Sequence, residues 1–195
     1  MDCLGIYEVR MVENEFKLML TKEQYKKILK MFEWDEVTEQ TNYYFDTRTL
    51  ELVEEHITCR VRAIDGRYLL QMKLPNGEEH SRIELERELS ELPETISGEI
   101  LEEMSGMLLP NVRRIGALTT IRHIKHEDGF EIDLDENYYL GRIDYELEVE
   151  FTDEAKARAK LKDIRMALHT RQADDVCIGK IHRFLQEYKL KNSKK

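Results

Sequence analysis

Only three prolines and nine glycines occur in 195 residues, and no Ser/Gly-rich stretch, low-complexity tract or internal repeat interrupts the chain. Nothing marks a linker, so the expectation is one domain, long enough to bury a proper core. No run approaches the roughly 18 apolar residues that a membrane span needs, and no charged-then-apolar leader opens the chain. Cysteine is scarce: Cys3, Cys59 and Cys177 are odd in number, widely spaced and without a CxxC pair. They read as reduced cytosolic thiols rather than a disulfide frame, which makes the cytoplasm the expected compartment. Positive charge is also short, with 30 Lys and Arg against 40 Asp and Glu and a net charge of −10. That balance excludes general nucleic-acid binding, where a basic surface supplies most of the affinity. GxxxxGK[ST] and GxGxxG are both missing, so neither a P-loop nor a dinucleotide fingerprint explains any phosphate binding. What is abundant is charge set among apolar residues: 36% of the chain is charged and 41% hydrophobic, too apolar for disorder.

Four helices are expected. The first covers residues 21–32, with Thr21 and Gln24 at capping-box spacing and Tyr25, Ile28, Leu29 and Phe32 on one face. A second covers about 94–107. A third begins after Thr152 or Asp153 and ends near His169, and the last covers about 178–190. Between them lie segments of period two, the signature of strands with two unlike faces. Glu146, Glu148 and Glu150 share one face of 145–151, opposite Tyr145, Leu147, Val149 and Phe151. Glu13, Glu15 and Lys17 share a face, as do Arg60 with Arg62 and Gln71 with Lys73. Glu84, Glu86 and Glu88 alternate with Ile83 and Leu85, and Glu131, Asp133 and Asp135 with Ile132 and Leu134.

One such strand is what any solvated antiparallel sheet shows. Six together, with polar faces carrying charges of both signs and little Ser, Thr or Gln, imply more. Rolled into a barrel, these faces would line a polar interior while helices cover the apolar exterior. A charged lumen is costly without a ligand or metal to neutralise it, so it is a binding-site hypothesis. The sharpest local signal is Glu13-x-Glu15-x-Lys17: two hard carboxylates suited to a divalent cation, beside an ammonium suited to a phosphate oxygen.

The motifs continue in order through 41–47 (Thr-Asn-Tyr-Tyr-Phe-Asp-Thr), Arg60-x-Arg62, 70–73 (Leu-Gln-Met-Lys), 118–122 (Leu-Thr-Thr-Ile-Arg), Tyr139-Leu140-Gly141, 144–148 (Asp-Tyr-Glu-Leu-Glu) and Lys180-Ile181-x-Arg183-Phe184. This ordered set resembles the CYTH, or triphosphate tunnel metalloenzyme, family, and within it a bacterial branch often labelled adenylate cyclase. The resemblance covers residues 11–190 as one domain, leaving 1–10 as an N-terminal extension to which no function attaches and 191–195 as a charged tail. It implies an α+β fold, an eight-stranded antiparallel β-barrel with flanking helices, whose basic residues grip a linear triphosphate. By position the grip falls to Lys17, Arg60, Arg62, Lys73, Arg122, Lys180 and Arg183, with the first five nearest the chemistry. Metal, as Mg²⁺ or Mn²⁺, falls to Glu13, Glu15, Glu148 and Glu150, with Glu146, Asp133 and Asp135 as secondary candidates and Glu84 and Glu86 on an acidic strand of unassigned role. A homodimer is compatible with the resemblance.

Several patterns carry no site. Asp133-x-Asp135-x-Asn137 opens like an EF-hand loop, but Tyr138 stands where that loop needs glycine. His123 and His126 lack a second pair of metal-ligating residues, Cys177 lacks a base, and Tyr43, Tyr44 and Phe45 read as strand and core residues. The leading expectation is metal-dependent hydrolysis of a triphosphate, inorganic or small and organic. An adenylate cyclase using the ribose 3′-hydroxyl as nucleophile would employ the same residues. A non-catalytic polyphosphate- or nucleotide-binding module is the third reading.

Overall fold

The computed structural model describes residues 9–78, 80–170 and 178–192. In chain order the elements are β1 (Val9–Leu20), α1 (Lys22–Leu29), β2 (Glu36–Asp46), α2 (Glu51–Glu54), β3 (Thr58–Ile64), β4 (Arg67–Pro75), β5 (Ser81–Leu89), β6 (Thr95–Ile96), α3 (Gly98–Ser105), β7 (Val112–Glu127), β8 (Phe130–Tyr139), β9 (Arg142–Phe151), α4 (Glu154–Leu168) and α5 (Lys180–Asn192). The hydrogen-bonded order is β2-β3-β4-β5-β1-β9-β8-β7-β6, and β2 also pairs with β7. Eight strands therefore form an antiparallel β-barrel, with the two-residue β6 added to β7. No helix among the described residues is long and apolar enough to cross a membrane. The contacts divide into two compact units: one holds the described residues of 9–13 and 40–117, the other those of 14–39 and 118–192.

In the first unit β3, β4 and β5 form a meander whose period-two pattern sends polar residues to one face and apolar residues to the other. Cys59, Val61, Leu70, Met72 and Leu85 bury on the apolar face with Phe45, Leu52 and Ile57, and Leu101 and Met104 of α3 complete this core. Burial pushes the Cys59 thiol up, so it is inert; Cys3 and Cys177 lie outside the described residues. Helix α3 starts at Gly98 rather than near 94 because Thr95 and Ile96 pair with Arg113 and Val112. Its first residue must be glycine, since a Cβ there would stand 2.1 Å from the carbonyl oxygen of Leu109. The single turn α2 has no periodic pattern to announce it. It is organised by Asp46, whose buried carboxylate accepts from the backbone N–H groups of Thr47, Leu52 and Val53 at 2.7, 3.0 and 3.2 Å.

In the second unit α1 carries the expected capping box: Thr21 Oγ1 accepts from Gln24 N at 3.2 Å and Gln24 Oε1 from Thr21 N at 2.8 Å. Helix α4 is capped by Asp153 at its start and by His169, in the left-handed region, at its end. Ala157, Leu161, Ile164 and Leu168 of α4 bury against Phe16, Leu18, Ile132, Leu134, Leu147 and Val149 on the apolar faces of β1, β8 and β9. Each fully buried side chain of this size contributes about 1.5–3 kcal/mol. Gly129, at φ +89°, closes the β7–β8 hairpin, and its carbonyl accepts from the N–H groups of Thr152 and Asp153 at 3.0 and 2.9 Å.

His123 and His126 are three apart on strand β7, so they project from opposite faces and share no ion. His123 lies against Tyr25 and Trp34, and burial lowers its pKa. His126 is exposed, and its pKa is raised by Glu36 and Glu131, which its ring nitrogens meet at 3.4 and 2.7 Å. The two shifts act oppositely on stability. The His126 contribution is complete below the unfolded value of about 6.5 and is lost as pH rises through the higher folded value. The His123 environment costs stability only as pH falls below about 6.5. Thermal melts from pH 5 to 8.5 are expected to show His126→Gln below wild type and His123→Phe above its own high-pH offset at the acid end. Both differences should shrink at the alkaline end; a His126→Gln deficit that grows with pH would refute the assignment.

Candidate functional site

The second unit gathers the charged faces of β1, β7, β8 and β9. Antiparallel register places Lys17 opposite Glu148, Glu148 opposite Asp133, Arg122 opposite Asp135, and Asp135 opposite Glu146. Asp133, Asp135 and Glu146 are 0% exposed, so their charges must be met by neighbours. Arg122 meets several at once. Its Nε and Nη2 donate to Asp135 at 2.8 and 2.7 Å, and it also contacts Asp133 and Glu148. Lys17 donates to Glu148 and lies 2.8 Å from Glu15. From the first turn of α5, Lys180 reaches Glu146, with Asp135 at 2.8 Å and Glu148 at 3.0 Å. One turn on, Arg183 donates to Asp144 at 2.8 Å and pairs with Glu146 at 2.8 Å. Phe184 and Leu185 bury the apolar side of that helix, at 0% and 4% exposure.

The charge states follow. Burial pulls the Lys17 ammonium down, but Glu148, Glu15 and Glu146 outweigh it and hold its pKa well above the ordinary value. Burial raises Glu148, yet Lys17, Lys180 and Arg122 together keep it well below the carboxylate range. Asp135 is likewise lowered by Arg122 and Lys180 against its burial. Asp133 is the exception: burial dominates Arg122, and Asp135 and Glu148 add to it, pushing its pKa up to about 8.

The first unit holds a separate polar row. Lys73 donates to Glu13 and stands 3.8 Å from Glu84, and Arg60 stands 3.5 Å from Glu84. Burial raises Glu84, but Lys73, Arg60 and Arg62 lower it below the ordinary value. The Nε of Arg60 donates to Gln71 at 2.9 Å, Gln71 Nε2 donates to Glu86 at 2.7 Å, and Arg62 Nε donates to Asn42 at 3.3 Å. Glu88, on the same face of β5, is exposed.

The two units differ in composition. In the second, among the described residues, Glu15, Asp133, Asp135, Asp144, Glu146, Glu148 and Glu150 surround Lys17, Arg122, Lys180 and Arg183. Both oxygens of Asp133 and of Glu146 are buried without a hydrogen-bond partner among the described residues, and ion pairs reach Oδ2 of Asp133 and both oxygens of Glu146. Within this unit, two groups of described residues have ligand oxygens within 4.8 Å of one another: Asp133 with Glu148 and Glu150, and Asp135 with Glu146 and Glu148. A surplus of hard, under-satisfied carboxylate oxygens fits a divalent cation of the Mg²⁺ or Mn²⁺ kind.

The residues singled out in the sequence thus sort by unit: Lys17, Arg122, Lys180, Arg183, Glu15, Glu148 and Glu150 in one, Glu13, Arg60, Arg62 and Lys73 in the other. Tyr44 and Phe45 are core and strand residues, at 1% and 2% exposure. The sequence reading missed Gln40, Asn42, Thr120, Asn137 and, as a partner of Arg183, Asp144. The first four are at most 3% exposed. Parity is the signal that finds Thr120, Asn137 and Asp144, which stand two residues from Arg122, Asp135 and Glu146 on the same strand faces; β2 carries no charged row that would point to Gln40 or Asn42. Asn137 links Thr120 to Asp144 by hydrogen bonds of 2.7 and 3.0 Å.

Comparison with known proteins agrees with this arrangement of strands. A Bacillus subtilis (strain 168) protein named "Putative triphosphatase YjbK" is 30% identical over 185 residues, covering 90% of this chain and 95% of that protein. The crystal structure of a protein named a putative adenylate cyclase, from Bacillus halodurans, matches with a TM-score of 0.75 at 25% identity, over 90% of this chain and 98% of that one. A Hippeastrum protein named a putative adenylyl cyclase, and described as having a dominant triphosphatase activity, shares the fold with a TM-score of 0.63 at 18% identity, over 89% and 95%. The CYTH domain family profile matches residues 11–176, and the chain belongs to that family.

Proposed function

We propose that this protein is an enzyme that hydrolyses a triphosphate, inorganic tripolyphosphate or a small organic triphosphate, with Mg²⁺ or Mn²⁺. The observation that carries the reading is the surplus of carboxylates over cations in the polar row of the second unit, where Lys17, Arg122, Lys180 and Arg183 are each held on carboxylates. Such a set is built to exchange partners. An entering phosphate chain would take over the ammonium and guanidinium groups, and the carboxylates so released would hold a divalent cation. The triphosphatase name of the Bacillus subtilis relative supports the same chemistry.

Lys17, Arg122, Lys180 and Arg183 in one unit, and Arg60, Arg62 and Lys73 in the other, are assigned to phosphate oxygens. Glu15, Glu148 and Glu150, with Glu13, are assigned to the metal, and the buried Asp133, Asp135 and Glu146 join them. A divalent cation held there supplies neutralisation of phosphate charge and orientation of the attacking water. The chain's own part is positioning. Phosphoryl transfer passes through a loose transition state with charge spread over the equatorial oxygens, so fixed cations account for most of the rate enhancement. Lys17 suits this role because its raised pKa keeps it charged across the physiological range.

The test is orthophosphate release from tripolyphosphate, ATP and thiamine triphosphate, each with Mg²⁺ and with Mn²⁺, beside a Glu13→Ala/Glu15→Ala control. Metal-dependent release that the control lacks is the expected result, and the best substrate names the activity. Chromatography of the ATP reactions separates the cyclase reading, since cyclic AMP without orthophosphate would replace hydrolysis. Tight tripolyphosphate binding with neither product would leave a binding module.

A further inference from the structure

Arg183 is shared by two carboxylates that are built differently. Asp144 accepts from its Nε at 2.8 Å and from its Nη2 at 3.4 Å, and Glu146 meets the same Nη2 at 2.8 Å as an ion pair. Both Asp144 oxygens also take neutral donors: Oδ1 accepts from Asn137 Nδ2 at 3.0 Å and Oδ2 from the Tyr139 hydroxyl at 2.7 Å. Asn137 is itself aimed, because its Oδ1 accepts from Thr120 Oγ1 at 2.7 Å. The register builds this row: Thr120 faces Asn137, Asn137 faces Asp144, and Tyr139 stands two residues along β8 on the same face. Glu146 has no such support, since its two buried oxygens lack a hydrogen-bond partner among the described residues.

The two carboxylates therefore differ in what an entering phosphate does to them. Asp144 stays hydrogen-bonded to Asn137 and Tyr139 throughout, and so holds one edge of the guanidinium. Glu146, met by Arg183 and Lys180, is the partner that exchange releases. Asp144 also sets the height of the helix. Alternate residues of β9 meet one face of α5: Arg142 with Glu187 at 2.8 Å, Asp144 with Arg183, and Glu146 with Lys180. The sign reverses at the outer pair, so a slip of one turn would set Glu187 against Asp144 or Arg183 against Arg142.

We propose that Asp144, held by Asn137 and Tyr139, is a positioning residue for triphosphate binding: it seats Arg183 by its Nε edge and thereby fixes the first turn of α5, which carries Lys180. This rests on the assignment of Lys180 and Arg183 to phosphate given above.

Asp144→Asn removes the charge at constant size, and Tyr139→Phe removes only the hydroxyl. Both are made, Asp144→Asn also in an Arg183→Met background. Three quantities are measured: the dissociation constant for inorganic tripolyphosphate by calorimetry in EDTA, KM and kcat with Mg²⁺, and Tm. For Asp144→Asn the dissociation constant and KM are expected to rise about tenfold with kcat within about twofold, and for Tyr139→Phe to rise about threefold. In the Arg183→Met background, Asp144→Asn is expected to change the dissociation constant by less than about twofold, because it acts through Arg183. A merely structural role would lower Tm and leave both constants unchanged, and that result in a folded Asp144→Asn overturns the proposal. So does tighter binding, which would make Asp144 a competitor of phosphate for Arg183, and so does a full further loss in the Arg183→Met background. If Asp144→Asn does not fold, Tyr139→Phe decides by the same criterion. A wild-type protein that neither binds nor hydrolyses tripolyphosphate overturns the functional assignment and this inference together; wild-type binding that the folded variants match overturns the inference alone.

Discussion

Arg122→Ala is expected to destabilise the protein by about 3–5 kcal/mol at neutral pH, a fall in Tm on the order of 10 °C. Arg122 is 11% exposed at its side chain and contacts Asp133, Asp135 and Glu148, two of them fully buried. After its removal, among the described residues, Glu148 keeps Lys17 and Lys180 and Asp135 keeps Lys180. The pH dependence separates this cause from simple loss of packing. In wild type, Asp135 and Glu148 have lowered pKa values, so their stabilisation is present above the ordinary carboxylate range and is lost as pH falls through the folded values. Asp133, with its pKa raised to about 8, runs the other way: it takes up a proton on folding between its unfolded value and 8, so its cost shrinks as pH falls. Without Arg122 all three carboxylates move upward and follow the Asp133 pattern. Denaturant titrations at pH 7.5 and pH 5 are therefore expected to show the deficit narrowing at the lower pH. An equal deficit at both would mean that the lost energy was packing, and the electrostatic account of this cluster would fail.

Glu148→Gln is the second large effect, on activity rather than on folding. Glu148 belongs to both carboxylate groups of the second unit and receives Lys17, Arg122 and Lys180. The substitution keeps size and removes one charge from a set in which carboxylates outnumber cations, so the fold is retained. Phosphate release is expected to fall about 10²–10³-fold in kcat/KM, and half-maximal activity to need more Mg²⁺, because a shared ligand and an organiser of three cations are lost together. A metal titration of initial rates reads both quantities. Wild-type kcat/KM at the wild-type metal requirement would remove Glu148 from the site and with it the assignment of both acidic groups.

Much of this was legible in the residues themselves. The capping box at Thr21 and Gln24, the Asp153 start and His169 end of α4, and the alternation in β1, β3, β4, β5, β8 and β9 are local signals, and local chemistry determines them. Alternation also decides which residues share a face, so the charged rows were visible without any contact being known. The boundaries that moved did so for non-local reasons. Residues 95 and 96 pair with β7 and so delay α3, and Asp46 organises a turn too short to carry a pattern.

Partnership was not legible. Period two says that Glu148 and Lys17 each point to the polar side of a strand, but 131 residues separate them, and only the β1–β9 register sets them opposite one another. The same holds for Asp133 and Asp135, secondary in the sequence and wholly buried beside Arg122 in the fold. The amides are the clearest case. Asn42 and Gln71 lie within the ordered motifs but carry no charge and were given no role there, yet strand pairing places each against an arginine. The sequence by itself determined the faces, because side-chain direction in a strand depends only on residue parity. The tertiary structure decided which acid meets which base, because register is set between strands far apart in the chain.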